Sequence, residues 1–151
     1  MLSLPAVDGQ AGPPTPLPAR LERLDAGRIL VMEDHAAIQS LLRRGLERAG
    51  YTVVPTAAGE AAVREFERAK ASGQPFDLVL LDVNIPGGMG GEETLTKLRQ
   101  IEPSVLAVAT TGEGADTVEA LLHLGFARVV TKPFLVHELC ATIRAVLPRA
   151  R

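Results

Sequence analysis

Leu78-Val79-Leu80-Leu81-Asp82-Val83-Asn84-Ile85-Pro86 opens with four large apolar residues and turns polar at an aspartate. Such a run is too short for a helix, and its unbroken apolarity implies a strand covered on both faces. Four more runs have the same character: Ile29-Leu30-Val31-Met32, Thr52-Val53-Val54, Val105-Leu106-Ala107-Val108-Ala109 and Ala127-Arg128-Val129-Val130. Between and after them, apolar residues recur at helical spacing. The sets are Ile38, Leu41, Leu42 and Leu46; Ala62, Val63 and Phe66; Leu95, Leu98 and Ile101; Val118, Leu121 and Leu122; and Leu135, Leu139, Ile143 and Val146. Each marks one face of an amphipathic helix. Gly50, Gly73 and Gly125 stand where helix C-termini are expected, and Pro75, Pro103 and Pro133 punctuate the joints. Five strand-then-helix units call for parallel strands joined by right-handed crossovers. The expected fold is therefore a three-layer α/β sandwich, an open sheet with helices on both faces.

The remaining composition fits one such domain. The chain has 151 residues, 46% of them apolar and 23% charged, which leaves almost no room for a separate output domain. Residues 1–27 hold five of the eleven prolines, four of them in Pro13-Pro14-Thr15-Pro16-Leu17-Pro18, and read as a flexible tail or linker ahead of a folded unit at 28–148. A net charge of −2 disfavours direct nucleic-acid binding, since a phosphate-tracking protein carries a basic excess. The single cysteine, Cys140, allows no intramolecular disulfide, and no apolar stretch approaches the roughly 20 residues needed to span a bilayer. No secretory signal is visible at the N-terminus either. A cytoplasmic location without membrane insertion is expected.

In open α/β sheets, ligands bind beyond the carboxyl ends of the strands, at the point where strand order switches. That rule directs attention to the residues following each run. Glu33 and Asp34 follow the first, Asp82 the third, Thr111 the fourth and Lys132 the fifth. Three carboxylates at one sheet edge repel one another by about 4 kcal/mol per pair at 4 Å and an effective dielectric near 20. Compensation is required. Hard oxygen ligands suit Mg²⁺, which is commonly held by one or two carboxylates plus phosphoryl oxygen, and Lys132 adds a fixed positive charge. A metal and an ammonium converging on Asp82 describe a phosphoryl-transfer site with Asp82 as covalent nucleophile. Any one of these acids could equally be a helix N-cap, but the whole set at consecutive strand ends is poorly explained that way.

Over roughly residues 28–147 the sequence resembles the receiver domain of two-component response regulators, a bacterial signalling family. The resemblance rests on Ile29-Leu30-Val31-Met32-Glu33-Asp34, on Leu78 to Pro86, on Ala109-Thr110-Thr111-Gly112 and on Thr131-Lys132-Pro133-Phe134. It implies a flavodoxin-like doubly wound fold, (βα)5, with a five-stranded parallel sheet in the order 2-1-3-4-5. It also implies that Asp82 accepts a phosphoryl group from a histidine kinase or a histidine phosphotransfer protein, and that the domain undergoes autodephosphorylation. Mg²⁺ would be held by Asp34, Asp82 and the backbone carbonyl of Asn84, with Glu33 supporting it through water. Lys132 and the Thr111 hydroxyl would bind phosphoryl oxygens, Gly112 would leave access, and the Lys132-Pro133 bond would be cis. The signal would pass to a protein that reads the face made by the fourth helix, fifth strand and fifth helix. Asn84 and Glu113 occupy positions that tune dephosphorylation in the family.

Two features depart from the commoner pattern or extend it. Val129 stands where the family often carries a rotating aromatic, with Phe126 as a nearby substitute. The glycine-dense loop Gly87-Gly88-Met89-Gly90-Gly91 reads as a flexible connection, not a phosphate-binding loop, because no Lys-Ser/Thr pair follows it. That loop resembles the one in receivers at the C-terminus of hybrid histidine kinases, and Leu2-Ser3-Leu4-Pro5-Ala6 is similar to the last strand of a kinase ATPase domain followed by a proline-rich linker, which makes an excised hybrid-kinase receiver an alternative. A Mg²⁺-dependent phosphohydrolase is a further alternative. One such superfamily places a second aspartate two residues after the nucleophile, where this chain has Asn84. His35, His123 and His137 lack ligand spacing and read as surface or partly packed residues, Cys140 as a small apolar one, and Arg43, Arg44 and Arg48 as a solvated strip on the first helix.

Overall fold

The structure, a computed structural model, describes residues 27–147. The proline-rich segment expected as a tail and the last four residues lie outside these, except that Gly27 already belongs to the first strand. Five strands alternate with five helices. In chain order they are β1 (Gly27–Met32), α1 (Ala36–Arg48), β2 (Tyr51–Thr56), α2 (Gly59–Ala71), β3 (Leu78–Asp82), α3 (Gly91–Ile101), β4 (Ala107–Thr111), α4 (Ala115–Leu124), β5 (Arg128–Thr131) and α5 (Val136–Val146). All neighbouring strands pair in parallel, in the order β2-β1-β3-β4-β5.

Alternate residues of the central strands face opposite layers, because strand side chains alternate with period two. Ile29, Val31, Leu78, Leu80 and Val108 pack with Leu42 and Leu46 of α1 and Leu139, Cys140 and Ile143 of α5. Leu30, Met32, Val79, Leu81, Ala107 and Ala109 pack with Phe66 of α2, Leu95 and Leu98 of α3 and Leu121 of α4. Two-faced burial holds for β1, β3 and β4 and fails at the sheet edges, where β2 and β5 keep exposed positions. Pro55 is tolerated in β2 because that strand is an edge, where the missing N–H costs no ladder bond.

Two strands run differently from the apolar runs. The fourth run begins at Val105, whereas β4 covers Ala107–Thr111, so Thr110 and Thr111 lie inside the strand; the fifth strand is likewise displaced by one residue and ends on Thr131. Register with β3 decides this, since Val79 aligns with Ala107 and Asp82 with Thr110. The second half of the glycine-dense loop is closely packed, whereas a Cβ on Gly87 would meet nothing within 4 Å. A Cβ on Gly90 would lie 2.9 Å from the Val83 carbonyl oxygen, one on Gly91 would lie 3.1 Å from that of Asp82, and Met89 is buried. Phe126 sits in the core at 3% exposure and is no stand-in for a rotating surface aromatic.

Close packing of α1 on α5 also depends on a glycine. A Cβ on Gly45 would collide with Val136 Cγ1, and Cys140 Sγ lies 3.9 Å from the Gly45 carbonyl oxygen. Gly45→Val is expected to cost about 2 kcal/mol through overpacking, read as a lower urea midpoint; an unchanged midpoint would show that α1 shifts freely on α5.

Candidate functional site

Strand register carries the polar residues to one edge. Met32 aligns with Leu81, so Glu33, the next residue, emerges beside Asp82 at the end of β3. Thr111 aligns with Thr131, and the Lys132 N–H donates to the Thr111 carbonyl oxygen at 2.7 Å. Because β1 lies between β2 and β3 while the chain has to leave it toward β2 first, the crevice at the β1/β3 ends is the switch point of the sheet.

At its centre, Lys132 Nζ donates to Asp82 Oδ2 at 2.9 Å and to Glu33 Oε1 at 3.3 Å. Both carboxylates are 1% exposed. Desolvation alone would push the ammonium's pKa down, but the hydrogen bond and charge of Asp82, reinforced by Glu33, outweigh it and hold Lys132 above the ordinary lysine value. The Lys132-Pro133 bond is cis, as the resemblance implied. Asp82 Oδ1 accepts from the Asn84 backbone N–H at 3.0 Å. The aspartate therefore has one oxygen on the lysine and the other turned toward the β3–α3 loop.

Glu33 is held from several sides. Its Oε2 accepts from the His35 backbone N–H at 3.1 Å, and Gln39 Nε2 donates to both the Glu33 and Thr56 carbonyl oxygens at 3.0 Å. Asp34 is more open, with 29% of its side chain exposed. His35, which spacing gave no reason to select, lies with Nδ1 3.3 Å from Glu33 Oε2 and 3.4 Å from Asp34 Oδ1. The chain turns at the end of β1 and brings adjacent side chains together there, while the His35 side chain stays 67% exposed, the surface position expected of it. His123 and His137 take no part in this group.

On the far side of the site, the buried Thr111 hydroxyl donates to Asn84 Oδ1 at 3.2 Å, and Glu113 N–H donates to Thr111 Oγ1 at 3.1 Å. All six expected positions, Glu33, Asp34, Asp82, Asn84, Thr111 and Lys132, thus converge on one sheet edge. The charge balance is incomplete: among the described residues, Lys132 pairs with Glu33 and Asp82, and Asp34 adds a third carboxylate beside His35. Glu33 and Asp34, with His35, offer ligand atoms within 4.8 Å of one another, and carboxylate oxygens so placed, with the buried Asp82 at the same strand edge, fit a hard divalent cation.

An apolar groove opens beside the site, lined by Ile38 and Leu41 of α1 and by Pro133 and Phe134, with Lys132 at its edge. Leu41 is 50% exposed, unusual for a residue of its size. Among the described residues, no helix is long and apolar enough to cross a membrane.

Residues 29–144 match the family described as the response regulator receiver domain. The chain is 36% identical over 125 residues to the alkaline phosphatase synthesis transcriptional regulatory protein PhoP of Bacillus subtilis, covering 82% of this chain and 49% of that protein. It is 36% identical over 122 residues to the sensory transduction protein RegX3 of Mycobacterium tuberculosis, covering 80% and 51%. The chain spans about half the length of these curated relatives. Among solved structures, a CheY-like response regulator receiver domain protein from Methanospirillum hungatei superposes with a TM-score of 0.69 at 27% identity, covering 80% of this chain and 92% of that one. A LuxR-family two-component response regulator from Aurantimonas sp. gives 0.70 at 29% identity, covering 84% and 90%.

Proposed function

We propose, since this chain belongs to the response regulator receiver domain family, that it is the phosphoacceptor of a two-component phosphorelay, taking a phosphoryl group onto Asp82 from a phosphohistidine. The observation that carries this reading is the buried Asp82 with Lys132 Nζ at 2.9 Å. In the transfer, an Asp82 carboxylate oxygen bonds to phosphorus and the donor's P–N bond breaks, leaving its electron pair on the imidazole. Lys132 neutralises charge on the phosphoryl oxygens, and the Thr111 hydroxyl supplies a hydrogen bond to them. Gly112 leaves open space, since a Cβ there would meet nothing within 4 Å. Mg²⁺ fits the donor set: Asp34, Asp82 and the Asn84 backbone carbonyl would hold it, with Glu33 in support. When bound it supplies the positive charge that one lysine leaves lacking.

On this reading the chain is a signalling module, residues 28–148 with a linker ahead of it, whose chemistry is self-phosphorylation and autodephosphorylation. It works in the cytoplasm, as an independent regulator or as the receiver of a hybrid histidine kinase. The receiving partner reads the α4-β5-α5 face, where Leu122 and Leu124 are 45% and 47% exposed. The test is incubation with Mg²⁺ and acetyl phosphate, followed by mass spectrometry. A single-phosphate adduct that hydroxylamine removes is expected; no adduct on the wild type refutes the proposal.

The donor is a histidine kinase or histidine phosphotransfer protein, and the groove beside α1 is where its histidine-bearing helix fits. Lys132 forms both the rim of the groove and the partner of Asp82, so a helix lying there brings its histidine to the acceptor. Leu41→Asp places a charge in this groove. Transfer from a phosphorylated donor protein is expected to fall at least about tenfold relative to transfer from acetyl phosphate, as befits loss of a buried apolar anchor. Equal losses with both donors, measured by single-turnover kinetics, argue against docking there.

A further inference from the structure

Asn84 presents more than a backbone carbonyl. Its Oδ1 accepts from two donors, the Thr111 hydroxyl at 3.2 Å and the Gly112 N–H at 3.3 Å. Its Nδ2 donates to Glu113 Oε2 at 3.3 Å, and Glu113 Oε1 accepts from Thr117 Oγ1 in α4 at 3.0 Å. These partners fix the orientation of the carboxamide: donors face its oxygen and a carboxylate faces its nitrogen. A hydroxyl and a backbone amide each have one hydrogen to give. Both hydrogens are committed to a single neutral oxygen, while Thr111 Oγ1 itself accepts from Glu113 N–H.

A phosphoryl group on Asp82 offers only acceptor oxygens, and those oxygens need the same two donors. We propose that the Asn84 side chain is a resting-state placeholder for the phosphoryl group, holding the Thr111 hydroxyl and the Gly112 N–H until transfer and releasing them to the phosphoryl oxygens afterwards. This rests on the reading of Asp82 as phosphoacceptor. The exchange is downhill because an ionised acceptor makes hydrogen bonds about twice as strong as a neutral amide does. The backbone of Asn84 can stay in place, anchored by its N–H on Asp82 Oδ1, while the carboxamide turns away. Its departure breaks the Nδ2 bond to Glu113, and Glu113 is tied to the first turn of α4 through Thr117. Asn84 is thus a positioning residue: it acts through Thr111 and Gly112, and its release loosens the β4–α4 loop from the β3–α3 loop.

The test combines amide hydrogen exchange by NMR with calorimetric titration of beryllofluoride, a phosphoryl mimic, in the presence of Mg²⁺. In unliganded Asn84→Ala, the Gly112 amide is expected to exchange at least about tenfold faster than in the wild type, and beryllofluoride to bind about tenfold tighter, because two modest hydrogen bonds no longer have to be broken. Glu113→Ala removes the tether but leaves the acceptor, and a smaller gain in the same direction is expected. Unchanged Gly112 exchange in Asn84→Ala, or beryllofluoride bound no more tightly than by the wild type, overturns the placeholder role. Failure of the wild type to bind beryllofluoride at all would instead overturn the phosphoacceptor reading.

Discussion

Lys132→Met is expected to lower the melting temperature in Mg²⁺-free buffer by about 10 °C, the equivalent of about 3 kcal/mol in a domain of this size. Glu33 and Asp82 are each 1% exposed, and Lys132 Nζ contacts both. Removing the ammonium leaves two buried carboxylates facing each other with no cation between them, and breaking a buried pair from one side costs more than the pair itself contributes. The partial exposure of Lys132, 23% of its side chain, places the expected loss at the low end for such pairs. Millimolar Mg²⁺ should recover part of it, since a cation that binds only the folded state stabilises in proportion to the logarithm of its concentration over Kd. The same variant should be phosphorylated poorly, because the charge on the transferring group is then countered from one side only. Thermal melts with and without Mg²⁺ decide the matter. A variant that melts with the wild type would show that the ammonium is not what holds the two acids together.

Asp82→Asn is expected to abolish the hydroxylamine-labile phosphate adduct while leaving the melting temperature within a few degrees of the wild type. The nucleophilic oxygen is lost, and no other carboxylate at the site is equally placed. Glu33 is buried against Lys132 and the His35 backbone N–H, whereas Asp34 is directed toward solvent and His35. The fold retains the Lys132–Glu33 pair and loses one buried negative charge, so stability is preserved for the reason that Lys132→Met destroys it. A residual adduct at wild-type level would move the phosphoacceptor to another residue. The contrast separates chemistry from folding: one substitution removes activity with little loss of stability, and the other lowers both.

Much of this was legible along the chain. Continuous apolar runs and helical periodicity located five strands and five helices because burial on two faces and on one face leave different patterns in sequence. The acids, the threonine and the lysine could be picked out because strand ends in a parallel sheet are where polar side chains meet a ligand. The ends of β4 and β5 were displaced because apolarity marks burial, whereas strand limits are set by pairing with the neighbour; Thr110 is in β4 because it pairs with Asp82 of β3, and Thr111 because it pairs with Thr131 of β5. Gly90 and Gly91 looked like slack, yet they are where α3 approaches the end of β3 too closely for a side chain.

Sequence by itself determined the layered parallel fold, the identity of the chemical groups and the sheet edge on which they gather. Each of these follows from periodicity and from where polarity interrupts it. Only the tertiary structure decided how the groups are wired: that one ammonium bridges Glu33 and Asp82, that His35 turns back onto the acidic pair, and that the Asn84 carboxamide holds both the Thr111 hydroxyl and the Gly112 N–H. Most of these contacts join residues from 27 to 99 positions apart, and His35 joins its neighbours through a turn no periodicity describes. Hydrogen bonds are settled by tenths of an ångström, a scale that strand register and side-chain packing set in three dimensions and residue spacing does not encode.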